Sequence, residues 1–353
     1  MLPSKMKAAV IKKPGLILIE EVPVPKTGEG EVLLKVEACA LCGTDQRVLS
    51  GEKHVDVPIV GHEITGIAVE IGAGVGGIAK GGKYIVQTVI GCGQCPMCRV
   101  HRENLCEKGF VAMGYQFNGG FAEYVLMPKV AVSQGCLIPV PNDFPSDLGT
   151  IIEPLSCCVN GMKYIPMEQT EHAVIFGGGI IGVLNGLVAK ARGAKKITIM
   201  DVSEPRLNLL KKLKLPFDNL VNTASVKPEE WVKEHTAGRG VDAVVVAASV
   251  KALVVKGMEI LRRGGHLSIF AGMPKSNPVE QIDLNRIHYL ELNLHGANSS
   301  SQAEYLAARD FIVSGRIDAR PLVTHRFPLD KFNEAVRVQG DPASGALKVV
   351  IVP

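Results

Sequence analysis

The chain has 353 residues, of which 46% are hydrophobic and 21% charged, with a formal net charge of +4. That length exceeds one ordinary hydrophobic core and favours two domains, and the composition is that of a globular rather than a disordered protein. The basic residues are scattered and no run approaches the roughly 20 apolar residues of a membrane span, so neither a nucleic-acid surface nor a membrane anchor is expected.

The opening stretch, MLPSKMKAAVIKKPG, carries lysines but no apolar segment followed by small residues, and the expectation is a cytoplasmic protein. Nine cysteines, an odd and partly clustered set, fit metal binding in a reducing compartment better than a disulfide framework. Short apolar runs at 7–10, 32–36, 64–71 and 84–86 are separated by turn residues, the pattern of an irregular β domain. From about residue 151 the texture changes. Apolar strands at 173–176, 196–200, 243–247 and 266–270 alternate with helical segments at 180–191, 206–214 and 251–261, which predicts parallel strands joined by crossover helices. Beyond about residue 294 the chain turns again, through 301–313, to a terminal stretch at 346–350 that reads as a buried strand.

Within the first domain lies GCGQCPMCRVHRENLC, which places Cys92, Cys95, Cys98 and Cys106 in a C-x2-C-x2-C-x7-C array. Two-residue spacers let thiolates on a short loop converge on one ion at the Zn–S distance of about 2.3 Å, and four thiolates leave no open position, so this metal is expected to be structural. Further on, AVIFGGGIIG presents Gly177, Gly179 and Gly182 as G-x-G-x-x-G directly after an apolar strand and before an amphipathic helix. The three glycines serve a tight turn, a close approach of backbone to a diphosphate, and close packing of helix on strand. Asp201 ends the next strand, where an acidic residue meets the ribose hydroxyls of the adenosine half, so NAD is favoured over NADP. Arg206 lies near enough to stack on adenine or, as the lesser reading, to accept a phosphate.

A second constellation is spread thinly: Cys42 in LCGTD, His62 and Glu63 in VGHE, and Glu153 in IIEP. A catalytic zinc takes about three ligands of mixed cysteine, histidine and carboxylate type. Taken singly, each residue has an ordinary reading: Cys42 as a small buried hydrophobe, His62 as a turn histidine, Glu153 as a carboxylate at a helix start.

CGTD, GHE, the four-cysteine loop, EP and GGGIIG occur in the order and spacing of the zinc-dependent medium-chain alcohol dehydrogenases, and the whole chain resembles that family, most of all its sorbitol (polyol), sugar-alcohol-phosphate and threonine dehydrogenase branch. The resemblance implies an α/β fold: a Rossmann doubly wound parallel sheet plus a GroES-like irregular β-barrel catalytic domain carrying the structural-zinc lobe at about 91–107. It places the catalytic domain at 1–153 and 295–353 and the NAD-binding domain at 154–294. It further implies two Zn²⁺ per subunit and NAD as cofactors, with Cys42, His62, Glu63 and Glu153 around the catalytic zinc, either glutamate being the resting ligand. Thr44 takes the proton-relay position and Asp45 that of the carboxylate orienting the zinc-bound histidine. Ile180, Ile181, Ala271 and Asn298 fall at the family's cofactor-binding positions, and a homotetramer or homodimer is implied, joined through the edge near 292–298.

Two departures are visible. Gly82-Lys83-Tyr84 puts a lysine where the family often has aspartate, so the turn or ion pair made by that aspartate is not expected. The stretch QRVLSGEKHVDVP lacks the aromatic and histidine pattern of threonine dehydrogenases, which points toward polyols. The expected partner is a small-molecule secondary alcohol: a polyol, a cyclic polyol or a sugar-alcohol derivative, with or without phosphate. L-threonine 3-dehydrogenation and a non-catalytic, NAD-binding redox sensor are the alternatives. Arg47 and Lys53 could bind a substrate phosphate and His54 a substrate hydroxyl, but all three read first as solvated loop residues, and Cys157 and Cys158 as core packing.

Overall fold

The structure, a computed structural model, describes residues 1–353. The chain packs as two units, Met1–Ser156 with Ser299–Pro353, and Cys157–Asn298. No helix is long and apolar enough to cross a membrane.

The unit formed by Cys157–Asn298 is a six-stranded parallel sheet. Its order across the sheet is Asn219–Asn222, Lys196–Asp201, His172–Phe176, Val241–Val246, Leu261–Ile269 and Asn293–Gly296. Strands covered on both faces run largely apolar, and HAVIF and VDAVVV are buried at every position, their polar members satisfied in part by His172 N donating to Asp242 Oδ2 at 2.8 Å. Crossovers run in opposite directions from His172–Phe176 and Val241–Val246, so a crevice opens at the carboxyl ends of these two strands, where the glycine-rich loop begins. The architecture is the expected doubly wound sheet. Details differ from the sequence reading for local reasons. The helix expected at 206–214 starts earlier, at Glu204–Lys212, because the Ser203 hydroxyl caps it by accepting from Arg206 N and Pro205 suits its first turn. The helix expected to reach residue 261 stops at Ile260, since Leu261 already pairs with Val241 in the sheet.

In the other unit, one seven-stranded sheet has the path Val323–Pro328, Lys348–Val352, Val32–Ala40, Glu63–Ile71, Lys83–Val86 and Leu137–Val140, with Tyr124–Met127 also pairing Val32–Ala40. Bulges beside Leu33 and between Val36 and Ala38 bend the central pair, as a closing, barrel-like sheet requires. Leu34, Val36, Ile64, Ile90, Phe121, Val349 and Ile351 fill its core. Lys83, at the family departure, is buried, ion-pairs with Glu37 at 3.0 Å and donates to the Phe144 carbonyl at 2.8 Å. The lysine therefore makes a pair of its own at this turn.

Candidate metal and dinucleotide sites

Strand register, rather than closeness in sequence, assembles the scattered residues. Ala40 faces Glu63 on one side and Val350 on the other, so the residues just past Ala40, those just before Glu63 and those just before Val350 meet at one end of the sheet. Cys42 then caps the helix Gly43–Leu49. Its Sγ accepts from Thr44 N at 3.5 Å, while Asp45 reaches back so that its Oδ2 accepts from Cys42 N at 2.9 Å. This capping box buries Asp45 and presents its other oxygen, Oδ1, 3.4 Å from His62 Nδ1. With Nδ1 facing a carboxylate, Nε2 is the ring atom available to a metal. The His62 carbonyl accepts from the Thr88 hydroxyl at 2.8 Å, and the Tyr305 hydroxyl in turn contacts Thr88, so the histidine backbone is braced from behind.

One donor atom each from Cys42, His62 and Glu63 lie within 4.8 Å of one another. Glu153, buried at the start of the helix Ile152–Gly161, stands outside that trio but acts on it electrostatically. Lys348, at the start of the last strand, is 1% exposed; it ion-pairs with Glu63 Oε2 and donates to the Leu41 carbonyl at 3.1 Å, leaving Glu63 Oε1 without a hydrogen-bond partner.

Burial pushes the Glu153 carboxyl up to about 7, with His62 opposing and Cys42 adding to the rise. Burial raises Glu63 as well, against the pull of Lys348. Desolvation is the largest single influence on His62 and Lys348 and disfavours their charged forms, yet the surrounding acidic groups together, led by Asp45 at the first and Glu63 at the second, hold both above their ordinary values. These directions share one cause: four acidic groups crowd two basic ones in a dry site. A divalent cation is what such a donor set neutralises, and the orphaned Glu63 oxygen fits a ligand role.

Two residues here were not singled out from the sequence. Tyr115 lies with its ring 5.5 Å from that of His62, and burial pushes its phenol up to about 12. No spacing marks it. Lys348 was detectable in principle, because a lysine inside the apolar run Ala346–Val350 needs a buried partner.

The four-cysteine loop closes on itself. Cys92 and Cys98 sulfurs are 4.0 Å apart and those of Cys95 and Cys106 are 3.9 Å apart, near the edge of about 3.8 Å that a tetrahedron of 2.3 Å Zn–S bonds has. Backbone N–H groups of Gln94 and Cys95 point at Cys92 Sγ and lower its thiol to about 6, so the peptide framework already favours a thiolate there. Cys98 N and Cys92 N likewise donate to the Cys95 and Cys106 sulfurs, each at 3.4 Å.

In the dinucleotide loop, Gly177 has φ of +109°, which only glycine adopts without strain. A Cβ on Gly182 would stand 1.7 Å from the Gly177 carbonyl oxygen, whereas one on Gly179 would meet nothing within 4 Å. Gly179 is exposed at the start of the helix Ile180–Ala191, where no side chain caps the first N–H groups. Ile180 and Ile181 are half-buried in the first turn. Asp201 accepts from Gly178 N at 2.6 Å with one oxygen and from Ser203 N at 2.8 Å with the other, so it ties the loop to the neighbouring strand end. The Arg206 stem packs against Gly178 beside it. Ala271 follows the Val246 strand end, bonded to its carbonyl at 3.0 Å, and Asn298 is exposed at the end of this unit. Of the lesser candidates, Arg47 is exposed and paired with Glu52, His54 is solvent-exposed, and Cys158 is buried.

The model of the alcohol dehydrogenase GroES-like domain matches residues 28–141, and that of the zinc-binding dehydrogenase matches residues 181–314. The chain is 31% identical over 358 residues to L-threonine 3-dehydrogenase of Thermococcus kodakarensis, spanning 99% of this chain and 98% of the relative. It is 30% identical over 352 residues to the enzyme of that name from Rhizobium etli, with 98% of each chain covered. A candidate zinc-binding dehydrogenase of Sinorhizobium meliloti 1021, solved bound to NADP, is similar with a TM-score of 0.88 and 30% identity over 99% of this chain and 100% of that one. The protein accordingly belongs to the zinc-dependent medium-chain alcohol dehydrogenases, oxidoreductases whose cofactors are zinc and a nicotinamide dinucleotide.

Proposed function

We propose that the protein oxidises a secondary hydroxyl of a polyol, a cyclic polyol or a sugar-alcohol derivative to the ketone, reversibly, with NAD as hydride acceptor. The observation that carries this reading is the clustering of Cys42, His62 and Glu63 donor atoms within 4.8 Å, backed by Asp45 and Lys348. Cys42, His62 and Glu63 would hold the reactive zinc, and Glu153 would stand by as an alternative oxygen donor. Zinc bound there supplies Lewis-acid stabilisation of the alkoxide. Asp45 holds the His62 ring in one orientation, and Lys348, ion-paired with Glu63, aims that carboxyl and offsets part of the rise that burial imposes on it. The Thr44 hydroxyl, half-buried beside Cys42, takes the substrate proton and passes it toward solvent. Cys92, Cys95, Cys98 and Cys106 would hold the second zinc as a structural staple.

For the dinucleotide, the uncapped start of Ile180–Ala191 would receive the diphosphate, and Asp201 the adenosine ribose. The carboxylate disfavours a 2′-phosphate and supports NAD over NADP. The loop after Cys42 supports polyols over L-threonine, while relatives named L-threonine 3-dehydrogenase make the amino alcohol the competing substrate to test. An edge strand, Asn293–Gly296, near exposed Leu284 and Tyr289 supports a homo-oligomer joined through that edge.

The experiment is NADH formation by zinc-loaded protein on polyols, inositols, polyol phosphates and L-threonine, repeated with NADP. Turnover of a polyol group with NAD is the expected result. Turnover of L-threonine alone would replace the substrate reading, and NAD binding with no turnover of anything would leave a nucleotide-binding protein without the reaction.

A further inference from the structure

We infer that Tyr305 is a positioning residue of the reactive centre, fixing through Thr88 where the main chain of His62 stands. The inference rests on the metal site proposed above and adds a residue to it. The protons can be followed along the chain of bonds. The Thr88 hydroxyl has one hydrogen and donates it to the His62 carbonyl at 2.8 Å, so toward Tyr305 it can only accept, and the phenol donates to it at 3.2 Å. The phenol oxygen in turn accepts from Thr88 N at 3.0 Å. Thr88 is held on its remaining side as well, its carbonyl accepting from Met113 N at 3.2 Å. His62, Thr88 and Tyr305 are 4%, 4% and 1% exposed, so water is not at hand to replace any of these bonds.

The far end of this chain is well anchored. Tyr305 follows the capping box that opens the helix Gln302–Val313, in which Ser301 N donates to Glu304 Oε2 at 2.9 Å. The same turn also holds a second donor of the centre. Ser156 Oγ spends its hydrogen on the Glu153 carbonyl at 2.6 Å, so Ser300 Oγ, 2.6 Å from it, is the donor of that pair. Ser156 and Ser300 are fully buried. One helix start is thereby tied to the main chain of both His62 and Glu153. Packing at position 305 asks only for an aromatic ring; it is the hydroxyl that reaches Thr88 and, through it, the histidine. Asp45 steers the His62 ring, whereas Thr88 and Tyr305 hold its backbone, and a binding constellation tolerates a displacement of only about 0.5 Å. No motif contains Tyr305, which stands 217 positions from Thr88.

The test compares wild type with Tyr305→Phe, Thr88→Val, Thr88→Ser and, as a packing control on the same helix, Phe311→Leu. The first readout is deuterium exchange at the His62 C2–H of zinc-free protein, followed by peptide mass spectrometry, with buried His172 as the internal reference. The second is zinc affinity of the Cys42 site by chelator competition, with the four-cysteine lobe as the reference in the same chain. Tyr305→Phe and Thr88→Val are expected to weaken zinc at the Cys42 site by about tenfold, the lower end for loss of a group that orients a metal ligand, and to speed His62 exchange several-fold. Thr88→Ser, which keeps the hydroxyl, should stay near wild type, and Phe311→Leu should lower Tm and move neither readout. Unchanged His62 exchange and zinc affinity in Tyr305→Phe overturn the inference, as does an equal change in Phe311→Leu, which would leave Tyr305 as packing alone. Should Tyr305→Phe fail to fold, the contrast of Thr88→Val with Thr88→Ser decides in the same way. Should wild type bind zinc only in the lobe, the metal reading fails by itself, and His62 exchange still decides whether Tyr305 positions the histidine.

Discussion

Gly182→Ala tests the dinucleotide loop most directly, because its effect can be worked out from the backbone. The added Cβ would sit 1.7 Å from the Gly177 carbonyl oxygen and 2.8 Å from its carbon, where real Cβ atoms essentially never come within 3.0 Å. The obstacle is main chain, so no rotamer change relieves it; the helix Ile180–Ala191 must move away from the strand by more than about 1 Å. Overpacking of this kind costs about 1–3 kcal/mol. In a unit of this size that corresponds to a fall in Tm of roughly 3–10 °C. Moving the helix start also displaces the N–H groups that would meet the diphosphate, so NADH affinity should fall as well. Gly179→Ala separates the two effects, since its Cβ meets nothing within 4 Å: Tm should hold while NADH binding weakens. Calorimetry and NADH fluorescence titration read both. A Gly182→Ala protein with unchanged Tm and unchanged NADH affinity would refute the close-packing argument.

Lys348→Met should leave Glu63 buried without its counter-charge, at a cost of about 3 kcal/mol, and Glu63→Gln in the same background should restore much of the lost Tm; a single variant as stable as wild type would show the pair to be dispensable. Cys98→Ser should lower bound zinc from two ions per chain to one and lower Tm by several degrees, measured by metal analysis and calorimetry, and retention of both ions would rule out the lobe as a staple. His172 is buried, and burial followed by the charge of Lys196 pushes it down to about 4. The unfolded chain therefore binds the extra proton first, and stability should fall as pH drops from about 6.5 to about 4, by roughly 2–3 kcal/mol. His172→Gln should flatten that segment of a urea-unfolding profile, and an unaltered slope would place the acid sensitivity elsewhere.

Legibility in the sequence followed the range of the interactions. Gly177, Gly179 and Gly182 and the four lobe cysteines lie within short segments, so local spacing states their geometry. Alternation of apolar strands and helices revealed the parallel sheet for the same reason. Cys42, His62 and Glu63 carried no such signal; their meeting depends on Ala40 facing Glu63 across a bulged strand pair, and only the resemblance joined them. Lys348 and Tyr115 escaped because the register that brings them in is long-range and no motif contains them. Lys83 was read as a missing pair, when a lysine of that length reaches Glu37 instead. Asp201 was read as a ribose ligand; the bonds that the structure gives it run to Gly178 and Ser203 and tie the glycine loop in place, a task no motif spells out.

The Lys348 contact also bears on how the protein is made. Its ammonium reaches the Leu41 carbonyl across 307 positions of sequence, and the strand Lys348–Val352 supplies one flank of Val32–Ala40. On the ribosome, Cys42, His62 and Glu63 emerge early, but their basic counterpart and flanking strand arrive only after the whole dinucleotide-binding unit has been synthesised. Until then the ligand end of the sheet lacks a strand and is over-charged with acid, so a nascent chain has no finished pocket in which to trap the wrong ion. A metal centre of the kind proposed here would thus be completed only once the strand Lys348–Val352 pairs with Val32–Ala40, and a change at Lys348 would reach it from 307 positions away.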